Sequence, residues 1–293
     1  MKSKKSCTLI IIILLFICLN AKGNKNMIWE ITSFDENKVY VLGSIHAASD
    51  NLYPLNKIVE EKYLECSQIA VEADITKKQT KEIQTFLMAT SLYEDGTIAE
   101  HISENYLDKL KNICKKYNLN FDSYKNYKPW FWAMTLEQIK IQHTNLDFEK
   151  GIDLYFLKKA KQDKKEILEL EGLFEQISFL SGLSDSTQIS FLELTVNDSL
   201  DYVEELKQVV KAWKMGKTKE LDFLLLKEFN QNKHTKQLYE ILVVERNIRI
   251  AKKIGEYLAT GENVFVIAGA AHFVGTESVL QILRKKGYFI KRL

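Results

Sequence analysis

One pattern constrains the fold of this chain more than any other: an apolar run that ends in Gly-x-x-His and occurs twice. Residues 39–42 precede Gly43 and His46, and residues 264–268 precede Gly269 and His272. Short apolar runs rich in β-branched and aromatic residues are typical of buried strands, and glycine permits a tight turn where a strand ends. If both strands lie in one parallel sheet, the two imidazoles meet at its carboxyl edge, where ligands bind in open α/β folds. The less favoured interpretation is a pair of capped core histidines.

The length and composition indicate one large globular domain. The chain has 293 residues, of which 46% are hydrophobic and 27% charged, so it can bury a substantial core. It contains only two prolines, Pro54 and Pro129, and no linker rich in glycine, serine and proline. We therefore predict a single domain over residues 24–293.

The first 23 residues have the features of an export signal. Lys2, Lys4 and Lys5 precede an apolar run over residues 8–19, which is too short to span a bilayer comfortably. Small residues, Ala21 and Gly23, then stand at the −3 and −1 positions of a cleavage site. We predict a signal peptide over residues 1–23 and an exported protein in the periplasm or at the outer cell surface.

Attachment to the membrane through the N-terminus stays open as an alternative. Cys18 is a candidate for lipoprotein anchoring, although the bulky Ile17 stands where a lipid-attachment site takes a small residue. An uncleaved anchor is the third interpretation. Removal of residues 1–23 takes away four lysines and no acidic residue, so the formal net charge changes from +2 to −2. Such a surface does not favour nucleic acid as a partner.

The cysteines do not form a recognisable metal motif. Cys66 and Cys114 remain after cleavage, and no Cys-x-x-Cys is present, which argues against a structural zinc ribbon. An exported chain permits a disulfide between them, but both lie in helix-like stretches where a small core residue is the favoured interpretation.

The order of predicted elements gives an α/β fold class. Two strands over residues 27–32 and 38–45 form a hairpin, and a helix over residues 55–66 leads to a strand over residues 68–74. This βαβ unit places Glu72 at the same edge as His46. We predict a mainly parallel central sheet flanked by helices, with a large helical insertion.

The rest of the chain is predicted to be mostly helical. Helices cover much of residues 76–145, and an aromatic cluster around Trp130 and Trp132 is interpreted as core packing in preference to substrate contact. A strand over residues 166–172 carries a further acid, Glu171, at its end. The remaining predicted elements are helices over residues 151–161, 174–183, 192–229, 238–258 and 279–286, and a closing strand over residues 288–292.

Four side chains are therefore expected at one sheet edge: His46, Glu72, Glu171 and His272. Two imidazoles and one carboxylate form a common catalytic metal shell that leaves a position open for water. The second carboxylate then serves as a general base or supports the ligands. A metal-free mechanism, with a histidine as base and the acids orienting it, uses the same residues. The other histidines, His101, His143 and His234, are predicted to have surface or capping roles.

The chain also resembles a known family, TraB/GumN, which includes PrgY and the Tiki proteins. The matching motifs run in order through nearly the whole chain after residue 23. They are Val41-Leu42-Gly43-Ser44-Ile45-His46, Val71-Glu72-Ala73-Asp74, Lys128-Pro129-Trp130, Gly151-Ile152-Asp153, Leu170-Glu171, Glu175-Gln176, Glu245-Arg246-Asn247 and Gly269-Ala270-Ala271-His272-Phe273-Val274-Gly275.

The resemblance implies a fold like that of the ChaN and erythromycin-esterase proteins, and a peptidase that depends on a divalent metal. Carried over, the metal ligands are His46, Glu72 and His272, with Mn, Co or Zn as the metal and a peptide or protein as the substrate. Glu171 and Arg246 match family positions without an assigned role. Arg246 is interpreted as pairing with the site carboxylates or with a substrate carboxylate, and an ordinary helix ion pair is held equal to these.

Two functions are carried forward from the sequence. The first is an exported metal-dependent hydrolase, with peptidase as the favoured activity. The alternative is a protein of the same fold that binds a peptide or haem without turnover, which rests on the analogy with ChaN and on the abundance of aromatic residues.

Overall fold

The core of the fold is a six-stranded sheet. In a computed structural model, residues 26–197 and 202–293 are described, so the signal peptide and the Cys18 anchor predicted from the sequence lie outside the described residues. The strands are β1 (Ile28–Thr32), β2 (Lys38–Ser44), β3 (Gln68–Val71), β4 (Glu166–Glu169), β5 (Val264–Gly269) and β6 (Phe289–Arg292). Their order in the sheet is β4-β3-β5-β2-β1-β6.

The sheet is mixed, with parallel and antiparallel pairs. β2 pairs in parallel with β5, and β3 pairs in parallel with both β5 and β4. β1 pairs antiparallel with β2, because a short turn joins them as the predicted hairpin, and β1 also pairs antiparallel with β6. The four strands β2, β3, β4 and β5 therefore end at one edge of the sheet.

Helices surround this sheet, as predicted for the α/β class. They are α1 (Lys57–Glu65), α2 (Lys81–Ser91), α3 (Glu104–Lys116), α4 (Phe121–Tyr124), α5 (Pro129–Gln142), α6 (Ile152–Gln162), α7 (Leu173–Ser181), α8 (Asp185–Val196), α9 (Tyr202–Lys214), α10 (Thr218–Leu226), α11 (Lys233–Tyr239), α12 (Glu245–Thr260) and α13 (Val279–Lys285). A π-helical turn over Glu240–Val244 joins α11 to α12. Within the described ranges no helix is both long and apolar enough to cross a membrane.

The apolar side chains form two separate cores. The sheet core contains the buried residues of the strands and of α1, α6 and α12. The helical core contains Trp132, Leu136 and Leu192, from α5 and α8, together with residues of α3. Trp130 and Trp132 are 2% and 0% exposed, which confirms that they pack inside the protein.

The two cysteines are buried free thiols. Cys66 belongs to the sheet core and Cys114 to the helical core. Burial raises the pKa of the Cys66 thiol to about 12 and that of the Cys114 thiol to about 11. Both therefore act as small core residues, which is the interpretation that the sequence favoured.

A close backbone approach joins α6 to the end of β2. The Ile152 amide donates to the Ile45 carbonyl at 3.0 Å, so the first turn of α6 lies directly against the chain that leaves β2. A β-carbon on Gly151 would overlap the backbone carbonyl oxygen of His46, which cannot move independently. The absence of a side chain at Gly151 therefore permits this contact.

We expect Gly151→Ala to lower the free energy of unfolding by about 1–3 kcal/mol, because the methyl group forces α6 away from β2. Urea denaturation followed by circular dichroism measures this change. The matched control is Gly255→Ala in α12, where the β-carbon meets the Tyr288 hydroxyl at 3.2 Å and can be accommodated by a small shift. An unfolding midpoint for Gly151→Ala equal to that of wild type would show that the approach is not tight.

Candidate active site

His46 is held by a carboxylate from α6. It follows β2, and its Nδ1 lies 3.0 Å from Asp153 Oδ2. The other oxygen of Asp153 accepts a 2.7 Å hydrogen bond from the Ser44 hydroxyl, so the carboxylate is fixed on both sides. Because an ionised carboxylate only accepts hydrogen bonds, His46 Nδ1 carries the proton. The lone pair of the neutral ring is then on Nε2, and the side chain is 61% exposed.

His272 is held by an amide from α12. It lies on the short turn Ala270–Phe273 after β5, is 4% exposed, and its Nδ1 lies 2.7 Å from Asn247 Oδ1. The Asn247 amide nitrogen donates to the Glu277 carbonyl at 2.8 Å, which sets the amide orientation and leaves its oxygen as the acceptor. His272 Nδ1 is therefore the donor, and the Nε2 lone pair faces Glu72 Oε1 at 3.7 Å.

Glu72 lies between the two imidazoles. It is the first residue after β3 and is 8% exposed. Its Oε1 accepts a 2.6 Å hydrogen bond from the Gly269 amide, where β5 ends. Its Oε2 accepts hydrogen bonds from Arg246 Nη2 at 2.5 Å and from Gln176 Nε2 at 3.2 Å. The end of β5 and side chains from α7 and α12 thus fix this carboxylate at the end of β3.

Glu171 forms a bidentate pair with Arg246. Arg246 Nε and Nη2 donate to the two oxygens of Glu171, both at 2.8 Å. The Glu171 side chain is only 1% exposed, and the chain around it stays paired with the end of β3, since its amide donates to the Glu72 carbonyl at 3.1 Å. This geometry is that of a residue that holds the guanidinium, since both of its oxygens are occupied.

The two imidazoles have opposite protonation tendencies. The Asp153 carboxylate raises the pKa of His46 to about 9, through its charge and its hydrogen bond, with Glu72 adding to the effect. Burial lowers the pKa of His272 to about 4, although the Glu72 charge opposes this. At neutral pH the metal-free site therefore holds one protonated and one neutral ring.

The pKa of Glu72 is lowered in spite of its burial. Burial alone would raise this pKa, but His272, Arg246 and His46, together with the Gly269 amide, bring it down to about 2. The carboxylate is therefore ionised throughout the physiological range. With both imidazoles neutral, the carboxylates of Glu72, Asp153 and Glu171 and the one guanidinium leave a formal excess of two negative charges, which a divalent cation would balance.

Gly269 borders the space that the candidate donors share. A methyl group on Gly269 would lie 3.4 Å from Glu72 Oε1, 3.5 Å from His46 Nε2 and 3.9 Å from His272 Cδ2. In the described part of the chain, no three His, Cys, Asp or Glu side chains already stand as a preformed metal cluster. The types of donor and the Nε2 lone pairs nevertheless fit a divalent ion, because each Nδ1 is tied to an acceptor as in many metal-bound histidines.

The structure brings together all five residues that the sequence singled out: His46, Glu72, Glu171, Arg246 and His272. A cavity of about 700 Å³ is lined by His46, Glu72 and Arg246, whereas the nearly buried His272 does not line it. Arg246 pairs with the site carboxylates, which was one of the interpretations left open.

Several supporting residues were not assigned from the sequence. These are Ser44, Asp153, Gln176 and Asn247. Each lies inside a motif that carried the family resemblance, and this was the signal that could have identified it. The remaining histidines lie outside the site: His101 stacks on Tyr93 at 4.0 Å, His143 ends α5, and His234 lies in the first turn of α11.

The fold and site define a class: a mixed α/β protein with a cluster of histidine, glutamate and arginine at the carboxyl edge of its sheet. Within that class the chain belongs to the TraB/PrgY/gumN family, whose sequence profile matches residues 27–292.

The names of similar proteins state no activity. An uncharacterized protein, YbaP, from Escherichia coli strain K12 is 28% identical over 255 residues, which cover 87% of this chain and 91% of YbaP. An uncharacterized protein from Treponema pallidum strain Nichols is 24% identical over 275 residues, covering 89% of this chain and 81% of that protein. No solved structure matches the chain.

We expect the two site imidazoles to titrate on opposite sides of neutral pH in metal-free protein. ¹H–¹⁵N NMR should give a pKa of about 9 for His46 and about 4 for His272. Asp153→Asn should lower the pKa of His46, because the negative charge beside the ring is lost. His46 contributes stability that is fully present below its unfolded pKa of about 6.5 and is lost as the pH rises through about 9. A pKa of His46 unchanged by Asp153→Asn would contradict this assignment.

Proposed function

We propose that this chain is an exported metal-dependent hydrolase that acts on peptides. His46, Glu72 and His272 would hold a divalent ion, with Mn, Co or Zn as the candidates. One observation carries the proposal: both imidazoles have Nδ1 tied to an acceptor, so that Nε2 is the nitrogen that each ring offers to a ligand, beside the same carboxylate and around Gly269.

A bound divalent ion would polarise a carbonyl and lower the pKa of a water molecule. The protein's own residues prepare the site for it. Asp153 and Asn247 orient the two rings, and the Gly269 amide holds Glu72 Oε1 in place. We assign Glu171 to holding Arg246, in place of the general-base role considered from the sequence, because both of its oxygens are occupied.

The same proposal includes the detailed fold of the domain and the export of the protein. We propose a ChaN/erythromycin-esterase-like arrangement of the domain, supported by the site at the shared carboxyl edge of β2, β3 and β5. We also propose that residues 1–23 direct export, supported by their basic and apolar pattern.

Removal of a metal ligand should abolish metal binding, because two protein ligands rarely hold a catalytic ion. Protein expressed without its first 23 residues is loaded with Mn, Co or Zn, and its metal content is measured by mass spectrometry beside cleavage of a peptide library. We expect His46→Ala and His272→Ala to lose metal and activity, and Glu72→Gln to bind metal more weakly, since an amide is a poorer ligand for a dication.

Two variants make this test specific. His143→Ala, at an exposed histidine outside the site, should keep metal and activity. Gly269→Ala keeps every ligand but fills the space beside Glu72 and His46, so metal affinity should fall while folding is retained. Full cleavage after exhaustive chelation would exclude the metal from the mechanism. Saturable peptide binding without any cleavage would favour the non-catalytic alternative.

Glu171→Gln separates a positioning role from a general base. If Glu171 holds Arg246, the amide keeps one acceptor oxygen, so the rate should fall less than about 10-fold and the pH profile of kcat should keep its shape. If Glu171 transfers the proton, the rate should fall by roughly 10²–10⁴ and the dependence on a basic group should disappear. Stopped assays of kcat between pH 5 and pH 9 distinguish the two, with metal content measured on the same samples.

A further inference from the structure

The cavity in front of the site is lined by residues of two chemical kinds. Polar residues at the sheet edge include His46, Glu72 and Arg246. Large apolar residues from helices and turns, which we call the apolar wall, are Phe148, Leu154, Phe179, Leu180, Phe191 and Leu242. Met134 of α5 lies at its margin and is 44% exposed.

The apolar wall is not part of either hydrophobic core. None of its six residues belongs to the sheet core or the helical core of the described residues, and all six are only partly buried. Apolar side chains from separate elements thus converge on a space of about 700 Å³ without filling it. A cavity lined mainly by apolar side chains with a few polar groups is typical of a ligand-binding site.

Charged residues around the cavity are already paired. Arg246 pairs with Glu72 and Glu171, Asp153 holds His46 and Ser44, and Glu149 pairs with Lys158 at 2.6 Å. A charged substrate side chain that entered the cavity would lose part of its hydration and would have to compete with these existing pairs. An apolar side chain would instead cover the apolar wall without disturbing them.

We infer that the site selects peptides that carry a large apolar side chain, such as phenylalanine or leucine, next to the bond that reacts. The polar residues at the sheet edge bind the peptide group, and the apolar wall contacts the neighbouring side chain. That the substrate is a peptide rests on the proposed function, whereas the preference for an apolar side chain rests on the apolar wall itself.

The test uses five heptapeptides that differ only in the central residue, which is phenylalanine, leucine, alanine, lysine or glutamate in a glycine and serine context. We expect kcat/KM for the phenylalanine and leucine peptides to exceed that for the other three by roughly 10- to 100-fold. Met134→Glu places a carboxylate at the margin of the wall. It should reduce this preference at least about 10-fold and improve cleavage of the lysine peptide.

Met88→Glu is the matched control, since Met88 is 47% exposed on α2 and lies on a different surface. It should leave the preference unchanged. Phe191→Ala removes wall area without adding charge, and should lower the ratio of phenylalanine to alanine cleavage even if Met134→Glu proves unstable.

Fluorescence polarisation with labelled copies of the same peptides separates this inference from the proposed function. Binding that favours phenylalanine and leucine, and that Met134→Glu weakens, supports the apolar selection even if no peptide is cleaved. Equal cleavage or binding of all five peptides, equal effects of Met134→Glu and Met88→Glu, or no binding and no cleavage of any peptide would each overturn it.

Discussion

The site depends on one guanidinium that bridges two carboxylates. Glu72 and Glu171 follow adjacent parallel strands, so the fold brings two negative charges together at a nearly buried edge. Two neighbouring carboxylates resist burial unless a cation lies beside them. The planar guanidinium of Arg246 donates hydrogen bonds to both carboxylates at once. Loss of one partner from such a buried group typically costs about 3–5 kcal/mol. Arg246 thereby fastens α12 to the ends of β3 and β4.

The features that were predictable from the sequence depend on short stretches of chain. The hairpin follows from two apolar runs and a polar turn, and the βαβ unit ending at Glu72 follows from local periodicity and the handedness of crossovers. The two Gly-x-x-His patterns placed His46 and His272 at one edge because β2 and β5 are paired in parallel. These signals are local, so they can be recognised in a single sequence.

Three supporting residues, Asp153, Gln176 and Asn247, could not be assigned in the same way, because their roles depend on how helices dock. Asp153 lies on an amphipathic helix, and the close approach of residues 151–152 to the chain after β2 brings it to His46. One uninterrupted helix was predicted over residues 238–258, whereas the structure has a π-helical turn at Glu240–Val244. This turn changes the register just before Arg246 and Asn247, and no sequence pattern marks it.

The two imidazoles differ in chemistry because their surroundings differ. The Asp153 carboxylate raises the pKa of the exposed His46 well above neutral pH, whereas burial lowers the pKa of His272, whose partner Asn247 carries no charge. Under the proposed function, a cation that took both Nε2 positions would displace one proton near neutral pH, and that proton would come from His46. Binding would then be coupled to a single proton at the solvent-exposed ring. His272 and Glu72 would need no change of protonation, because at neutral pH the ring is neutral and the carboxyl is ionised.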